Sequence, residues 1–365
     1  MKKRMNKKVA LSLVYYYNPI SCNGGLLSTF EALRQLQLRG VNVEAYIFVN
    51  YDPLPNYVPR AISQAAIAAE INHKILPYSK TEMGDQSQQH ISKMVIDKIP
   101  DSRVDHIITI DNDFVSLFAA AILDIPGSHF FNALITIKNY VCNPFYMKLL
   151  KKRKIFTSSK FLQKCSKELL DLDAEIWYPN HGLSNVRITG SNKKGDVVGY
   201  YSYGKHKGDE IVNYITGRMP QVKFVIMGGD YSNRSGPLPD NVEYMGEVKD
   251  VRKFYKKVKI VIVPSIVEEA FSRIIIEAAI NGIPAIGNKI GGIPEAMGQS
   301  GMLIEIDHDK KISPQYVGEQ YIQAIEKLLN NADAYTKYRE MALRRAKEYE
   351  LEENGMAHYF TRNIS

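Results

Sequence analysis

Cysteine and tryptophan are scarce, at three and one residues in a chain of 365. Cys22, Cys142 and Cys165 are odd in number and far apart, which excludes a disulfide framework and any zinc-ligand spacing. A reducing, cytoplasmic setting is the expectation that follows. No apolar run approaches the ~20 residues of a membrane-spanning helix. The longest covers residues 114–123 and stops at Asp124. Residues 1–8 are basic, but the apolar stretch behind them is short and ends in tyrosines without a small-residue cleavage site, which argues against a signal peptide. No period of repetition recurs, so a solenoid is not expected.

What is present is ordinary for a globular protein, with 45% hydrophobic and 24% charged residues. The length predicts two domains. The charge is lopsided: 47 basic against 39 acidic residues give a net +8. Such a surface suits an anionic membrane, a phosphorylated ligand or nucleic acid. Nucleic acid is set aside, because no helix-turn-helix, finger or aromatic RNA-binding strand accompanies the charge.

Strands and helices alternate, twice over. Strands are predicted at residues 9–16, 43–49, 105–110 and from Pro126. Helices are predicted at 26–38 and 119–123. The pattern restarts with strands at 196–201, 223–227, 259–263 and 283–286, and helices at 208–216 and 273–280. Alternation of this kind predicts parallel sheets with helices on both faces. The expected domains are 1–185 and 186–339, joined near residues 179–192. A charged helical tail, about 340–365, is expected to cross back to the first domain.

The richest stretch, residues 260–297, reads IVIVPSIVEEAFSRIIIEAAINGIPAIGNKIGGIPEAM. A buried strand ends at Val263, Glu269 lies in the following loop, and Glu277 lies on the next helix. Ligands of doubly wound sheets bind beyond the carboxyl ends of strands, before helix N-termini. The N–H groups of Phe271, Ser272 and Arg273 would suit a phosphate there. Two carboxylates could grip sugar hydroxyls. Two glutamates eight apart, taken without context, read first as ordinary acidic residues of a surface helix.

Pro264, Ser265, Glu269, Phe271, Ser272, Glu277, Ala278, Gly282 and Pro284, followed by Gly291-Gly292-Ile293-Pro294-Glu295, resemble the E-x7-E signature of family-4 glycosyltransferases. The resemblance implies the GT-B fold, in which two Rossmann-like doubly wound domains face a central cleft. It implies a retaining enzyme that moves a sugar from a nucleotide-diphosphate donor to a glycan, lipid-linked or other acceptor, with no metal and no cofactor. Glu269 would bind the transferred sugar and Glu277 the ribose, while the backbone of Phe271, Ser272 and Arg273 would face the diphosphate. Gly24-Gly25 resemble the family's N-terminal glycine loop, where the backbone approaches the donor closely; alone, the pair also fits a simple turn. Residues 177–182 are similar to the family's hinge. Asp111-Asn112-Asp113 is the nearest approach to a metal-binding D-x-D element and is read as a strand-end loop.

The chain departs from that pattern in two places. The family's diphosphate-neutralising arginine falls on Tyr200, after Gly199. The family's lysine matches Lys207 before Gly208, with Lys205 as the second choice and Arg273 as a conceivable substitute. The family's first-domain histidine falls on Asn132, which can bond a hydroxyl but cannot hold an imidazole's proton; His129 lies three residues early and reads as structural. A non-catalytic GT-B subunit that binds acceptor or partner enzyme is therefore the alternative, with a nucleotide-sugar epimerase third. The run Lys151-Lys152-Arg153-Lys154 follows an apolar, aromatic segment. It fits either peripheral contact with the inner face of an anionic membrane or a solvated basic loop.

Overall fold

A computed structural model describes residues 8–15, 24–50, 70–78, 87–99, 104–178, 186–189, 195–229, 238–246, 248, 250–306, 312–351 and 360. The chain divides into two compact units, Met1–His181 with Glu353–Ser365, and Gly182–Glu352.

In the first unit the described elements are β1 (Lys8–Tyr15), α1 (Gly24–Leu38), β2 (Asn42–Asn50), β3 (Asn72–Tyr78), α2 (Ser87–Lys98), β4 (His106–Ile110), α3 (Phe114–Ile122), β5 (Gly127–Phe131), α4 (Leu134–Val141), α5 (Pro144–Leu150), β6 (Lys154–Thr157), α6 (Lys160–Leu170) and β7 (Ala174–Ile176). The strands form one parallel sheet in the order β3-β2-β1-β4-β5-β6-β7. Every residue of β4 and β5 is buried, as a sheet covered on both faces requires.

The second unit contains β8 (Val197–Tyr203), a 3-10 turn (Lys205–Lys207), α7 (Asp209–Arg218), β9 (Lys223–Gly229), β10 (Val242–Tyr244), α8 (Arg252–Lys257), β11 (Ile260–Val263), α9 (Arg273–Ile280), β12 (Ala285–Asn288), α10 (Ile293–Met297), β13 (Gly301–Ile304), α11 (Pro314–Asn330) and α12 (Ala332–Leu351). Its parallel sheet has the order β10-β9-β8-β11-β12-β13. The period of two sorts its core cleanly. Val198, Tyr200, Ile260, Ile262 and Ile286 pack on one face, against α7 and α11. Val225, Met227, Val261, Val263 and Ala285 pack on the other, against α8, α9 and α10.

Both units thus have the doubly wound α/β architecture that the sequence predicts. The predicted helix at 119–123 begins earlier, at Phe114, because the Asp113 carboxylate caps the Ser116 N–H at 2.9 Å. α12 belongs to the second unit, where Tyr349 stacks on Phe271 at 5.4 Å. Residues 353–365 group with the first unit, in which Phe360 is buried and meets His106 edge-on at 4.9 Å. Within the hinge-like segment, Trp177 and Tyr178 are buried core residues, and residues 179–185 lie outside the described part.

Candidate active site

Strand order reverses direction between β8 and β11, and ligands of open parallel sheets bind at such a switch point. The turn Lys205–Lys207 follows β8, and the loop from Pro264 to Ser272 follows β11. They are clamped together. The Ile266 N–H donates to the His206 carbonyl at 3.1 Å. Gly208 has φ +81°, and a Cβ there would stand 2.1 Å from the Pro264 carbonyl oxygen, so only glycine fits. The buried Tyr200 hydroxyl donates to the Lys207 carbonyl at 3.0 Å.

These restraints bring together two residues 62 positions apart. Lys207 Nζ lies 2.7 Å from Glu269 Oε1, with the lysine side chain 41% exposed and the glutamate 10%. The Ser265 hydroxyl donates to the same Glu269 oxygen. Ser265 is held in turn by Asn288, whose side-chain N–H donates to the Ser265 carbonyl at 2.9 Å, and Asn288 Oδ1 lies 3.1 Å from the Tyr321 hydroxyl. The Gly291-Gly292 pair has a packing reason. The Gly292 N–H donates to the Glu269 carbonyl at 2.7 Å, and Cβ atoms at 291 and 292 would meet the Glu269 and Ala270 carbonyl oxygens at 2.5 and 2.2 Å.

Glu277 sits one turn into α9. It accepts from the Tyr255 hydroxyl at 2.9 Å and from Arg273 Nε at 3.4 Å, and its side chain is 14% exposed. Burial, followed by the Glu277 charge, drives the Tyr255 hydroxyl well above its ordinary pKa, so it stays a donor. Ser272 precedes α9, and its buried hydroxyl has no hydrogen-bond partner among the described residues. The Phe271 ring is turned onto Tyr349, which leaves its backbone as the part available to a ligand. Arg273 Nε lies 3.4 Å from Glu277 Oε1, one helical turn away, and Lys205 is exposed in the 3-10 turn. Gly199 lies in the middle of β8, where a Cβ would meet the Phe254 ring at 2.6 Å. Tyr200 is therefore inside the strand and core-packed, so its position carries a buried hydroxyl instead of a cation. Among the described residues no cluster of His, Cys, Asp or Glu could hold a metal ion.

The remaining sequence-derived residues belong to the first unit. Gly24 and Gly25 open α1, directly after the connection from β1. Asn132 follows β5, and its side-chain N–H groups point to Asp111 Oδ2 at 3.3 Å and Thr29 Oγ1 at 3.4 Å. His129 is fully buried on the strand before it, with Nδ1 2.8 Å from Thr109 Oγ1, and burial lowers its pKa to about 3. It is a neutral core histidine.

Sequence reasoning missed Tyr255, Asn288 and Tyr321, whose roles arise only from folding, and treated Ser265 as part of a motif without a task. Of the basic run, Lys151 and Lys152 are exposed beyond the end of α5. Arg153 turns inward to the Ile125 carbonyl at 2.6 Å, and Lys154 pairs with Glu175 at 2.5 Å. The run is a turn entering β6, so it is not the single helix face that a lipid surface would use.

Solved structures share this fold. A glycosyltransferase from Rickettsia africae ESF-5 superposes with a TM-score of 0.70 at 17% identity, covering 98% of each chain. Anabaena Alr3699/HepE, solved with UDP and glucose, gives 0.69 at 17% identity over 98% of this chain and all of its own. In sequence, 107 residues are 32% identical to the phosphatidylinositol N-acetylglucosaminyltransferase gpi3 subunit of Schizosaccharomyces pombe. That match covers 27% of this chain and spans about a quarter, 23%, of the relative. The chain has the fold of the GT-B glycosyltransferases, and its residues 209–331 match the family model of the glycosyl transferases group 1.

Proposed function

We propose that the protein is a retaining glycosyltransferase of the family-4 type, which moves a sugar from a nucleotide-diphosphate donor to a glycan, lipid-linked or other acceptor. The observation that carries the reading is the Lys207–Glu269 pair at the switch point of the second sheet. In this reading Glu277 holds the ribose hydroxyls by charge-assisted hydrogen bonds. Lys207, assisted by Lys205, neutralises the diphosphate as it leaves. The backbone from Phe271 to Arg273 and the unpartnered Ser272 hydroxyl donate to phosphate oxygens, and Glu269 grips the transferred sugar. Gly24 and Gly25 give the donor close approach to the backbone, and Asn132 bonds a sugar hydroxyl. No metal is needed, because Lys207 and the α9 N-terminus supply the positive charge. The printed ligands of the Anabaena protein, UDP and glucose, support a nucleotide-sugar donor here.

A second reading, a non-catalytic subunit, is favoured by one observation: the family's arginine position holds a core tyrosine, which offers the Lys207 carbonyl a hydroxyl where the family has a positive charge. Thermal shift against nucleoside diphosphates and nucleotide sugars, followed by assay of nucleoside diphosphate release, separates the two. A ligand at 100 times its dissociation constant stabilises by about 2.7 kcal/mol. Binding with release supports the enzyme, and binding without release from any donor supports the subunit.

The proposed setting is cytoplasmic, with peripheral contact at an anionic membrane. No helix among the described residues is long and apolar enough to cross a membrane. Residues 125–167 contain no Asp or Glu, and Lys138, Lys148, Lys151 and Lys152 are exposed there beside exposed Ile135, Val141 and Phe145. Exposed apolar groups and exposed lysines on one acid-free segment suit an anionic bilayer surface. Sedimentation with phosphatidylglycerol vesicles, but not with phosphatidylcholine vesicles, is the expected result.

A further inference from the structure

The first unit has its own switch point, between β1 and β4, and a polar cluster occupies it. Asp111 follows β4 with φ +47°, an uncommon conformation for a residue other than glycine. Its backbone is tied on both sides: its N–H donates to the Phe130 carbonyl at 2.9 Å, and its carbonyl accepts from the Tyr140 hydroxyl at 3.1 Å. The carboxylate collects donors from two elements. Oδ1 accepts from the Asn132 N–H at 2.8 Å and from the Thr136 hydroxyl at 3.2 Å, and Oδ2 faces Asn132 Nδ2 at 3.3 Å. Burial raises its pKa to about 6, against the pull of those hydrogen bonds. No ion pair to it is present among the described residues.

An ionised carboxylate only accepts, so it dictates which end of the Asn132 amide faces it. Asn132 Nδ2 is drawn to Asp111 and to Thr29 on α1, and Oδ1 is left without a donor among the described residues. Asn112 Oδ1, one residue beyond Asp111, is likewise a buried acceptor without a partner. Buried acceptors in native proteins are almost always satisfied, so one after β4 and one after β5 call for a ligand that brings donors. Hydroxyl groups fit, and a charged anion does not.

We propose that Asp111 is the positioning residue of a sugar-hydroxyl site in the first unit: it orients the Asn132 amide so that Oδ1 accepts from a hydroxyl of the sugar. The proposal rests on the glycosyltransferase reading and adds to it a residue that the sequence motif does not mark. A site built to bond a hydroxyl rejects the analogue that lacks it, because its own polar atom is then left unpaired.

The test uses the full chain with a nucleotide-sugar donor that it turns over, and deoxy analogues of that donor altered at one hydroxyl each. In the parent protein one analogue is expected to lose roughly 10- to 100-fold in kcat/KM. In Asp111→Asn and Asn132→Ala that preference collapses to within about threefold, and the double variant behaves as Asn132→Ala alone, as expected for groups acting as a unit. Affinity for the nucleoside diphosphate alone, which tests the second unit, stays unchanged in each. Thr136→Val, which removes one hydroxyl from Asp111, gives a smaller loss in the same direction and substitutes for Asp111→Asn if that variant does not fold. Full discrimination retained in Asp111→Asn or Thr136→Val, or additive losses in the double variant, overturns the positioning role. Full discrimination in Asn132→Ala means that water meets the orphaned acceptors, and also overturns it. A parent protein that binds no nucleoside diphosphate and turns over no donor instead overturns the glycosyltransferase reading, and this proposal with it.

Discussion

Lys207 and Glu269 meet at 2.7 Å because Gly208 lets the turn after β8 press against Pro264. The lysine is the more exposed partner, so it can turn to a phosphate without a large desolvation cost, while the more buried glutamate stays held by Ser265. Lys207→Ala should therefore cost more than Lys205→Ala in donor binding and turnover. A lysine acting in solvent is worth about 0–1 kcal/mol and is screened by salt. Kinetics at low and moderate salt check this, and equal, small losses for both variants would place the leaving-group charge elsewhere.

Glu277 is held by Tyr255 and Arg273 before any ligand arrives. Glu277→Ala should weaken nucleoside diphosphate binding itself, by about 1.5–3 kcal/mol for lost charged hydrogen bonds. Tyr255→Phe should cost less, since the carboxylate remains. Calorimetry with the nucleoside diphosphate measures both, and unchanged affinity in Glu277→Ala removes its ribose assignment.

Gly208→Ala places a methyl group 2.1 Å from backbone at φ +81°. A loss of at least about 2 kcal/mol is expected from the strained backbone and the clash together. Denaturant unfolding should show the destabilisation, and donor turnover should fall with it because Lys207 moves. Parent-like stability would show that the clamp between the two loops is dispensable.

Acid should destabilise the first unit. His106 and His129 are buried and neutral, with burial as the main cause of pKa values lowered to about 3. Unfolded histidine titrates near 6.5, so between pH ~6.5 and ~3 the unfolded chain binds more protons and stability falls with pH. Asp111, raised to about 6, opposes this between about 6 and 3.8. Two histidines against one aspartate leave a net loss on the order of 2 kcal/mol from pH 7 to pH 5. Melting temperatures across that range check it, and His106→Gln should flatten the slope.

The second unit was legible in the sequence because its site is built from neighbours. Glu269, Ser272 and Glu277 lie within one loop and one helix, and Gly291-Gly292 pack directly on that loop. Lys207 could be chosen over Lys205 from the following glycine alone. The first unit was less legible, since Thr29 on α1 and Asp111 and Asn132 after β4 and β5 are far apart in sequence and meet only when β1, β4 and β5 pair. Tyr200 shows a different limit. Alignment to a motif put it at a ligand position, but Gly199 packs against Phe254 inside the strand and carries Tyr200 into the core. The charge run shows a similar limit: periodicity cannot show that Arg153 turns inward to a carbonyl while Lys152 remains exposed.

Glu269, held by Ser265 and Lys207, is proposed to act on the transferred sugar, which a comparison of rate with affinity checks. Nucleoside diphosphate release from a panel of nucleotide sugars should be measured for the parent protein and for Glu269→Ala, alongside calorimetric affinity for the nucleoside diphosphate. A contact that strengthens in the transition state shows in rate more than in ground-state affinity. The account predicts release from at least one donor by the parent protein, and in Glu269→Ala a loss of roughly 100-fold or more in kcat with nearly unchanged nucleoside diphosphate affinity. Near-parental turnover in Glu269→Ala would contradict it.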